Sequence, residues 1–302
     1  MEPDNNLQEK KILTPIAPVK ETSTYAITNE FVAISDSSSL SSKDSNFVFF
    51  FGNASTGKSV ILASMLYHMN ARVGAIRPKR NSPNTKEAEV LLFDFLDNIR
   101  KGILPARTTV NQVTRLDMVF EPNNKSKKVK PIDLTFLEMA GEDHMKIRRG
   151  GTFHRSIEEY LNSDIPLNFI LVTDYNTAKE DDSLMFSFFN ELERKGRNFK
   201  SVNAILVIAK WDKSGAMGVS SEEHLADYIQ RNMPMTNQKM DTYGLSKTFY
   251  TVGSVEKNEN GEDRLQELNL STAKVLTNWL YESITNVSLD YEGTFWERIF
   301  GK

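Results

Sequence analysis

The sequence predicts an α/β protein in which a six-stranded, mostly parallel sheet lies between layers of helices. From Asn46 onward, short segments rich in β-branched and aromatic residues alternate with longer segments whose apolar residues recur at helical spacing. The first strand segment, residues 47–51, runs directly into Gly52-x-x-x-x-Gly57-Lys58-Ser59, and a helical pattern follows at once. A glycine-rich turn between a strand and a helix is the context that a phosphate-binding loop requires.

Composition limits the functions to be considered. The 302-residue chain is 39% hydrophobic, which is enough for a substantial core. Its 37 Lys and Arg residues nearly balance 40 Asp and Glu residues, so the overall charge does not favour nucleic acid or an anionic membrane as a partner. The absence of cysteine excludes disulfides, thiolate metal sites and a cysteine nucleophile. No apolar stretch reaches the ~18 residues of a membrane span, and the first residues lack a signal-peptide pattern, so we expect a cytoplasmic protein without a transmembrane segment.

Changes in composition divide the chain into three parts: a polar, serine-rich extension (1–45), a main domain (46–288) and an amphipathic tail (289–302). The apolar residues between Tyr25 and Ile34 leave two readings of the extension open, a short strand at the domain edge or a tether. In the tail, large apolar side chains between Phe295 and Phe300 fall on one face of a short helix. This pattern favours docking on the same domain over a partner or a membrane surface.

The first elements of the main domain follow from local patterns. Residues 47–51 are rich in phenylalanine, which favours a buried strand, and apolar residues at helical spacing follow Gly57. An insert at about 74–104 comes next, in which Asn84-Thr85 opens a second helix that we expect to pack as core.

A hairpin and further alternating elements complete the domain. Two strands, 111–120 and 132–137, are joined by a polar, lysine-rich loop, so we expect an antiparallel pair that supplies the single antiparallel strand of the sheet. The remaining strands are predicted at 167–173, 202–209 and 248–252, and helices from about 152, from 183, from 220 and over 271–284.

The glycine-rich segment predicts how a phosphate would be held. It consists of Gly52, Asn53, Ala54, Ser55, Thr56, Gly57, Lys58 and Ser59. Glycines let the backbone curl so that successive N–H groups point at one phosphate. Lys58 can then reach the terminal phosphates, and the Ser59 hydroxyl can coordinate Mg²⁺.

A carboxylate follows the strand that ends near residue 137. The chain continues as Glu138-Met139-Ala140-Gly141-Glu142, which places Glu138 at the strand tip beside the phosphate loop. There it can hold Mg²⁺ directly or through water. Gly141 has no side chain, so its backbone N–H can approach a γ-phosphate.

Two further segments indicate which base is bound. Strand 202–209 runs into Lys210-Trp211-Asp212, where Asp212 can accept hydrogen bonds from guanine N1–H and the 2-amino group while the Lys210 stem covers the ring. Adenine offers no such pair of donors. After the last strand, Gly253 and Ser254 form a turn of small residues that could offer backbone N–H groups to the guanine carbonyl.

With these motifs in this order, residues 46–285 resemble the Ras-like GTPases of the translation-factor-related class. The resemblance implies a three-layer P-loop fold that binds GTP or GDP with Mg²⁺. In that family the residue at Glu138 is aspartate, and Asn or Thr stands at Ala209, so the chain departs from the pattern at both places. These departures, the insert and the extension look more like the divergent bacterial double-GTPase group of conflict systems, which implies a protein effector or a partner GTPase.

The same resemblance implies further site residues. Thr109, or Thr108 beside it, would close over Mg²⁺ and the γ-phosphate. Glu142 aligns with a water-orienting glutamine, and its carboxylate would also repel the γ-phosphate and slow turnover. Arg107 is a candidate arginine finger in cis, with a solvated loop arginine as the alternative. His144 is a second catalytic candidate, with an ordinary exposed histidine as the alternative.

Three functions remain open at this point. The first is a GTP-hydrolysing molecular switch whose loops near 104–110 and 138–151 order around the nucleotide. The second is a nucleotide-bound scaffold with little hydrolysis, favoured by Glu138, Ala209 and Glu142. The third is an ATP-using P-loop ATPase or kinase, which the antiparallel hairpin and the Lys-x-Asp segment disfavour.

Overall fold

The computed structural model describes residues 45–106, 108, 113–148, 151–153, 155–215 and 221–292. The predicted catalytic Arg107, the predicted metal ligand Thr109, nearly all of the N-terminal extension and residues 293–302 of the tail lie outside this part of the chain. No described helix is long and apolar enough to cross a membrane. The division into extension, domain and tail stays a prediction.

Within the described ranges, seven strands form the central sheet. They are β1 (Asn46–Phe51), β2 (Gly74–Pro78), β3 (Val113–Pro122), β4 (Ile132–Met139), β5 (Leu167–Asp174), β6 (Val202–Ala209) and β7 (Ser246–Tyr250). Their spatial order is β2-β3-β4-β1-β5-β6-β7. Strand β3 is antiparallel to both of its neighbours, and all other neighbouring pairs are parallel. The prediction of a mostly parallel sheet with one antiparallel strand is confirmed, but the sheet has seven strands where six were expected.

The additional strand, β2, lies in the insert that the sequence suggested was helical. It is only five residues long, Gly-Ala-Ile-Arg-Pro, and Ile76 is its one large buried side chain. A segment this short shows no alternating pattern from which a strand could be predicted. It forms because β3 offers an open edge, and a Cβ on Gly74 would lie 2.4 Å from the Glu121 carbonyl oxygen, so the close pairing there depends on glycine.

Eight α-helices connect the strands within the described ranges. They are α1 (Lys58–His68), α2 (Thr85–Arg100), α3 (Gly141–Arg148), α4 (Arg155–Leu161), α5 (Ala178–Arg194), α6 (Ser221–Asn232), α7 (Pro234–Thr242) and α8 (Ser271–Thr285). A π-helical turn over Met69–Val73 extends α1. Helices α3 and α7 were not expected, α5 begins five residues before the predicted Ser183, and α4 begins after the predicted start near residue 152.

The two faces of the sheet bury separate hydrophobic clusters. Side chains alternate along β1, so Val48 and Phe50 face one layer of helices while Phe47, Phe49 and Phe51 face the other. The first layer contains α1, α2 and α8, and the second contains α5, α6 and α7. The result is the three-layer arrangement that the alternating sequence pattern predicts.

A separate hairpin follows the last strand of the sheet. Strands β8 (Gly253–Lys257) and β9 (Asp263–Leu268) pair antiparallel. The Leu265 N–H donates to the Gly102 carbonyl at 2.9 Å, just after the end of α2, and Ile103 forms an isolated bridge with Arg264. Gly102 has φ +70°, and a Cβ there would lie 2.5 Å from the Leu265 carbonyl oxygen. The hairpin therefore holds the start of the loop that leads to Thr108.

Candidate nucleotide-binding site

The phosphate loop lies between β1 and α1, as the sequence predicts. Gly52 has φ +151°, and a Cβ on it would lie 2.0 Å from the Val172 carbonyl oxygen on β5. Gly57, the residue before α1, has φ +99°, and Ser55 is left-handed with φ +61°. Gly52 must be glycine because a side chain there would clash with the Val172 carbonyl oxygen. Gly57 must be glycine because its positive φ would strain the backbone of a residue with a side chain. The curled loop therefore ends at the N-terminus of α1, where backbone N–H groups attract anions.

Lys58 lies across this loop. Its Nζ donates to the carbonyl oxygens of Gly52 and Asn53, at 3.0 and 2.8 Å. The Thr56 hydroxyl donates to the same Asn53 carbonyl at 3.0 Å. The ammonium group is therefore held inside the loop, at the position from which it could contact a bound phosphate.

Three oxygen-bearing side chains converge beside Lys58. Ser59 Oγ donates to Glu138 Oε1 at 2.5 Å, and Thr108 Oγ1 donates to the same oxygen at 3.1 Å. Glu138 is 2% exposed, and burial raises its pKa, against the opposing effects of the Ser59 hydroxyl, Lys58 and Thr108.

These side chains fit a magnesium ion. Two hydroxyls and one carboxylate are hard oxygen ligands of the kind that Mg²⁺ prefers. A cation beside the buried carboxylate would also favour its ionised form, which burial disfavours. The described residues contain no group of three or more acidic, His or Cys side chains that could hold a metal without these hydroxyls. Of the two candidate threonines, Thr108 is described and reaches Glu138, whereas Thr109 lies outside the described part.

A cavity of about 300 Å³ opens over the loop. Its wall is formed by residues of the loop and by Leu104, Pro105, Ala106, Thr108, Glu138, Met139, Ala140, Gly141, Glu142, Lys210 and Asp263. Gly141 packs directly on the loop, because a Cβ there would lie 1.9 Å from the Ala54 nitrogen. Of the predicted phosphate and metal residues, the cavity wall includes Ala54, Ser55, Gly57, Lys58, Ser59, Glu138 and Gly141.

The two catalytic candidates on α3 have different surroundings. Glu142 is exposed and forms part of the cavity wall. His144 is 2% exposed, and its ring packs edge-on against Phe51 with centroids 4.4 Å apart. The structure thus places Glu142 on the cavity wall and His144 in the core, and the catalytic role of each stays a prediction.

The predicted base-binding segment begins at the end of β6. Lys210 adopts φ +56°, and its Nζ donates to the Ser55 carbonyl at 3.0 Å and forms an ion pair with Asp174. Trp211 points into the core, where its ring stacks on Phe249. Because Trp211 is buried, Lys210 and Asp212 on either side of it remain accessible at the surface. Lys210 thus joins the phosphate loop to the predicted base site.

The region of Gly253 is a strand, where the sequence suggested a turn of small residues. Gly253 begins β8, its N–H donates to Thr251 Oγ1 at 3.2 Å, and a Cβ on it would lie 1.8 Å from the Glu267 carbonyl oxygen. Thr251 Oγ1 donates a hydrogen bond to Asp212 Oδ1 at 3.3 Å. Ser254 is exposed on the same strand. Donation from the backbone N–H groups of Gly253 and Ser254 to guanine stays a prediction. The Gly253 N–H would have to exchange its hydrogen bond to Thr251 for one to the base.

Three acidic residues at or near the site were not predicted. Asp174 pairs with Lys210, Asp263 reaches the cavity from β9, and Asp181 on α5 accepts a hydrogen bond from the Asn53 side chain. Asp174 could have been suspected, because it ends a parallel strand at the same edge of the sheet as the other candidates. Asp181 and Asp263 lie in segments without any motif, so no sequence signal pointed to them.

Comparisons with known proteins give only distant similarity. No protein-family model and no curated protein matches the sequence. The chain is similar to the GDP-bound Roco2 RocCORdC of Methanosarcina barkeri, with 12% identity and a TM-score of 0.32 over 68% of this chain and 42% of that one. It is also similar to a chain of the signal recognition particle receptor SRb-GTP/SRX complex from Chaetomium thermophilum, with 13% identity and a TM-score of 0.38 over 78% and 97% of the two chains. The chain thus spans less than half of the Roco structure.

The fold is established by the features described above. A parallel sheet with one antiparallel strand, helices on both faces and a phosphate loop between β1 and α1 together make a three-layer P-loop NTPase fold.

Proposed function

We propose that the protein binds GTP with Mg²⁺ and hydrolyses it as a molecular switch. The observation that supports this most directly is the convergence of Ser59, Thr108 and Glu138 on one point beside Lys58. These residues come from three separate segments, and Thr108 belongs to the loop between α2 and β3. A threonine that reaches the metal site only when its loop is in place is the arrangement that lets a γ-phosphate order such a loop.

The side chains of the chain itself account for the proposed chemistry. Lys58 would exchange its two carbonyl partners for phosphate oxygens, which are stronger acceptors. Ser59, Thr108 and Glu138 would hold Mg²⁺, which when bound neutralises charge on the β- and γ-phosphates. Glu142, exposed on the cavity wall, would orient a water molecule toward the γ-phosphate. Asp212 would accept from guanine while Lys210 covers the ring.

A switch also needs a partner that reads its state. Leu104, Pro105 and Ala106 lie near Thr108 on the cavity wall, and α3 begins two residues after the end of β4. The conformations of these two segments would differ between the GTP-bound and GDP-bound states, and a protein effector or partner GTPase would contact them. The bacterial setting and the double-GTPase group are taken from the sequence resemblance, and the cytoplasmic location is taken from the composition and hydropathy of the chain.

The base preference is tested by competition between nucleotides. We expect GTP and GDP to displace a fluorescent guanine nucleotide and ATP to fail at the same concentration. Asp212→Asn should weaken GTP binding by roughly tenfold or more, because a charge-assisted bond worth about 1.5–3 kcal/mol is replaced by an amide. Asp227→Asn, at an exposed position on α6, is the control. Equal competition by ATP would contradict the assignment of guanine.

A second candidate function is a nucleotide-bound scaffold that scarcely hydrolyses. It is favoured by the exposed Glu142 carboxylate on the cavity wall, which would oppose a γ-phosphate, and by the burial of His144. Single-turnover measurements separate this candidate from the switch.

A further inference from the structure

A buried carboxylate outside every predicted motif contacts the phosphate loop. Asp181, in the first turn of α5, is 1% exposed. Its Oδ1 accepts from the Asn53 side-chain amide, and its Oδ2 accepts from Thr173 Oγ1 at 2.6 Å and from Thr177 Oγ1 at 3.2 Å. One side chain therefore joins the phosphate loop, the end of β5 and the residue that precedes α5.

Asn53 is the residue through which the loop is organised. Its carbonyl oxygen accepts from both Lys58 Nζ and Thr56 Oγ1, at 2.8 and 3.0 Å. The peptide unit that follows packs against Gly141, where a Cβ would lie 2.1 Å from the Asn53 carbonyl carbon. A change in the orientation of Asn53 would therefore move the acceptor of Lys58, the surface facing Gly141 and the N–H of Ala54 together.

The chemistry of Asp181 suits a fixed acceptor. A buried carboxylate is costly unless hydrogen bonds and a favourable field compensate for its lost hydration. For Asp181, three side-chain donors supply the hydrogen bonds, and the N-terminal end of α5 supplies the favourable field. A small apolar side chain would avoid the cost of a buried charge but would leave the Asn53 amide and the two threonine hydroxyls without this acceptor. What the carboxylate adds is a rigid partner for the Asn53 amide.

We infer that Asp181 is a positioning residue for nucleotide binding, which sets the phosphate loop through Asn53 without touching the nucleotide. The inference rests on the proposed function in assuming that this loop binds a nucleotide. It goes beyond the motifs, because α5 carries none of them.

The neighbouring residue provides a matched control. Asp182 is also buried, at 4% exposed, and its carboxylate accepts from the backbone N–H groups of Thr236 and Met235, at 2.8 and 3.2 Å. It therefore holds the start of α7 and makes none of the described hydrogen bonds to the phosphate loop. Removing either carboxylate should destabilise the fold, but only the removal of the Asp181 carboxylate should disturb the phosphate loop.

The test compares Asp181→Ala, Asp181→Asn, Asn53→Ala and Asp182→Ala in the full chain. Thermal unfolding and the dissociation constants of GDP and GTP with Mg²⁺ are measured for each. We expect Asp181→Ala and Asn53→Ala each to weaken the binding of GDP and GTP equally, by about tenfold. A fifth variant that combines Asp181→Ala with Asn53→Ala should lose no more affinity than either single variant. Asp181→Asn retains an acceptor oxygen and should stay within about threefold of the wild-type protein.

Two results would overturn the inference. One is unchanged affinity in Asp181→Ala, and the other is an equal loss in Asp182→Ala, which would mean that general destabilisation is the cause. Backbone hydrogen exchange at residues 53–57, measured without nucleotide, compares the same two variants. We expect faster exchange in Asp181→Ala and unchanged exchange in Asp182→Ala. Failure of the proposed function looks different, because it appears in the wild-type protein as preference for ATP or as absence of nucleotide binding.

Discussion

At the scale of single residues, Glu142 and His144 show how two neighbours on one short helix differ in what they can do. Glu142 forms part of the cavity wall, while His144 packs against Phe51. Of the two, Glu142 is the side chain that the structure leaves open to water at the cavity. Its carboxylate could orient that water and would also repel a γ-phosphate.

We expect Glu142→Gln to hydrolyse GTP faster than the wild-type protein. The amide keeps the capacity to orient water, and removing a like charge about 4 Å from a phosphate removes about 1 kcal/mol or more of repulsion. Single-turnover hydrolysis should therefore rise roughly tenfold from an intrinsic rate near 10⁻⁴ s⁻¹, the order known for GTPases without an arginine finger. Glu256→Gln, on an exposed part of β8, is the control. A slower Glu142→Gln variant would instead identify Glu142 as a base.

Sequence spacing identified some site residues and missed others for a physical reason. The phosphate loop and Glu138 were predictable because the loop directly follows β1 and Glu138 lies at the end of β4, and a parallel sheet brings such strand ends together. The hydrogen bond between Asn53 and Asp181 joins residues 128 positions apart. Only the packing of α5 beside β5 places them in contact, and no spacing along the chain encodes it.

At the scale of elements, the features that were not predicted depend on tertiary contacts. Helix α3 contains Glu142-Asp143-His144 and shows no helical apolar pattern, yet Ile147 on it is buried against the same cluster as Phe51. Strand β2 and the hairpin β8–β9 are likewise short, and each pairs with a partner from a distant segment. In contrast, β6 was predicted with the bounds that the structure has, because its nearly continuous run of apolar residues indicates a buried strand without reference to other segments.

We expect Gly102→Ala to detach the β8–β9 hairpin from the loop that carries Thr108. The new methyl group would meet the Leu265 carbonyl oxygen and would occupy a left-handed backbone, which alone costs about 1–2 kcal/mol. Nucleotide affinity should become less dependent on Mg²⁺, as measured by titration with and without chelator.

Gly244→Ala is the matched control, since Gly244 has φ +63° with no atom within 4 Å of the added Cβ. It should lower stability by a similar strain energy without altering the metal dependence. Equal behaviour of the two variants would argue against a role of the hairpin at the metal site.

At the scale of the whole molecule, the proposed nucleotide binding would be linked to folding. The cavity wall includes residues from the β1–α1 loop, the loop after α2, the end of β4 and the β8–β9 hairpin. A ligand that contacts all of these stabilises the native state over the unfolded chain by mass action.

We expect GTP with Mg²⁺ at 100 times its dissociation constant to add about 2.7 kcal/mol of stability. For a domain of this size that corresponds to an increase of about 5–10 °C in Tm by differential scanning calorimetry. Lys58→Ala should lose the increase, and Lys86→Ala, at an exposed position on α2, should retain it. An equal increase in the Lys58→Ala protein would show that the nucleotide binds elsewhere.

The β8–β9 hairpin has a thermodynamic consequence for selectivity. Its first strand begins at Gly253, beside the Thr251 hydroxyl that reaches Asp212, and its second strand holds Gly102 before the Thr108 loop. A single element thus contacts the surroundings of both the proposed base site and the proposed metal site. Coupling between two binding events is reciprocal, so any factor by which guanine strengthens metal binding is the factor by which the metal strengthens guanine binding. Discrimination against other bases would then be greatest in the metal-bound protein and would relax when the metal leaves.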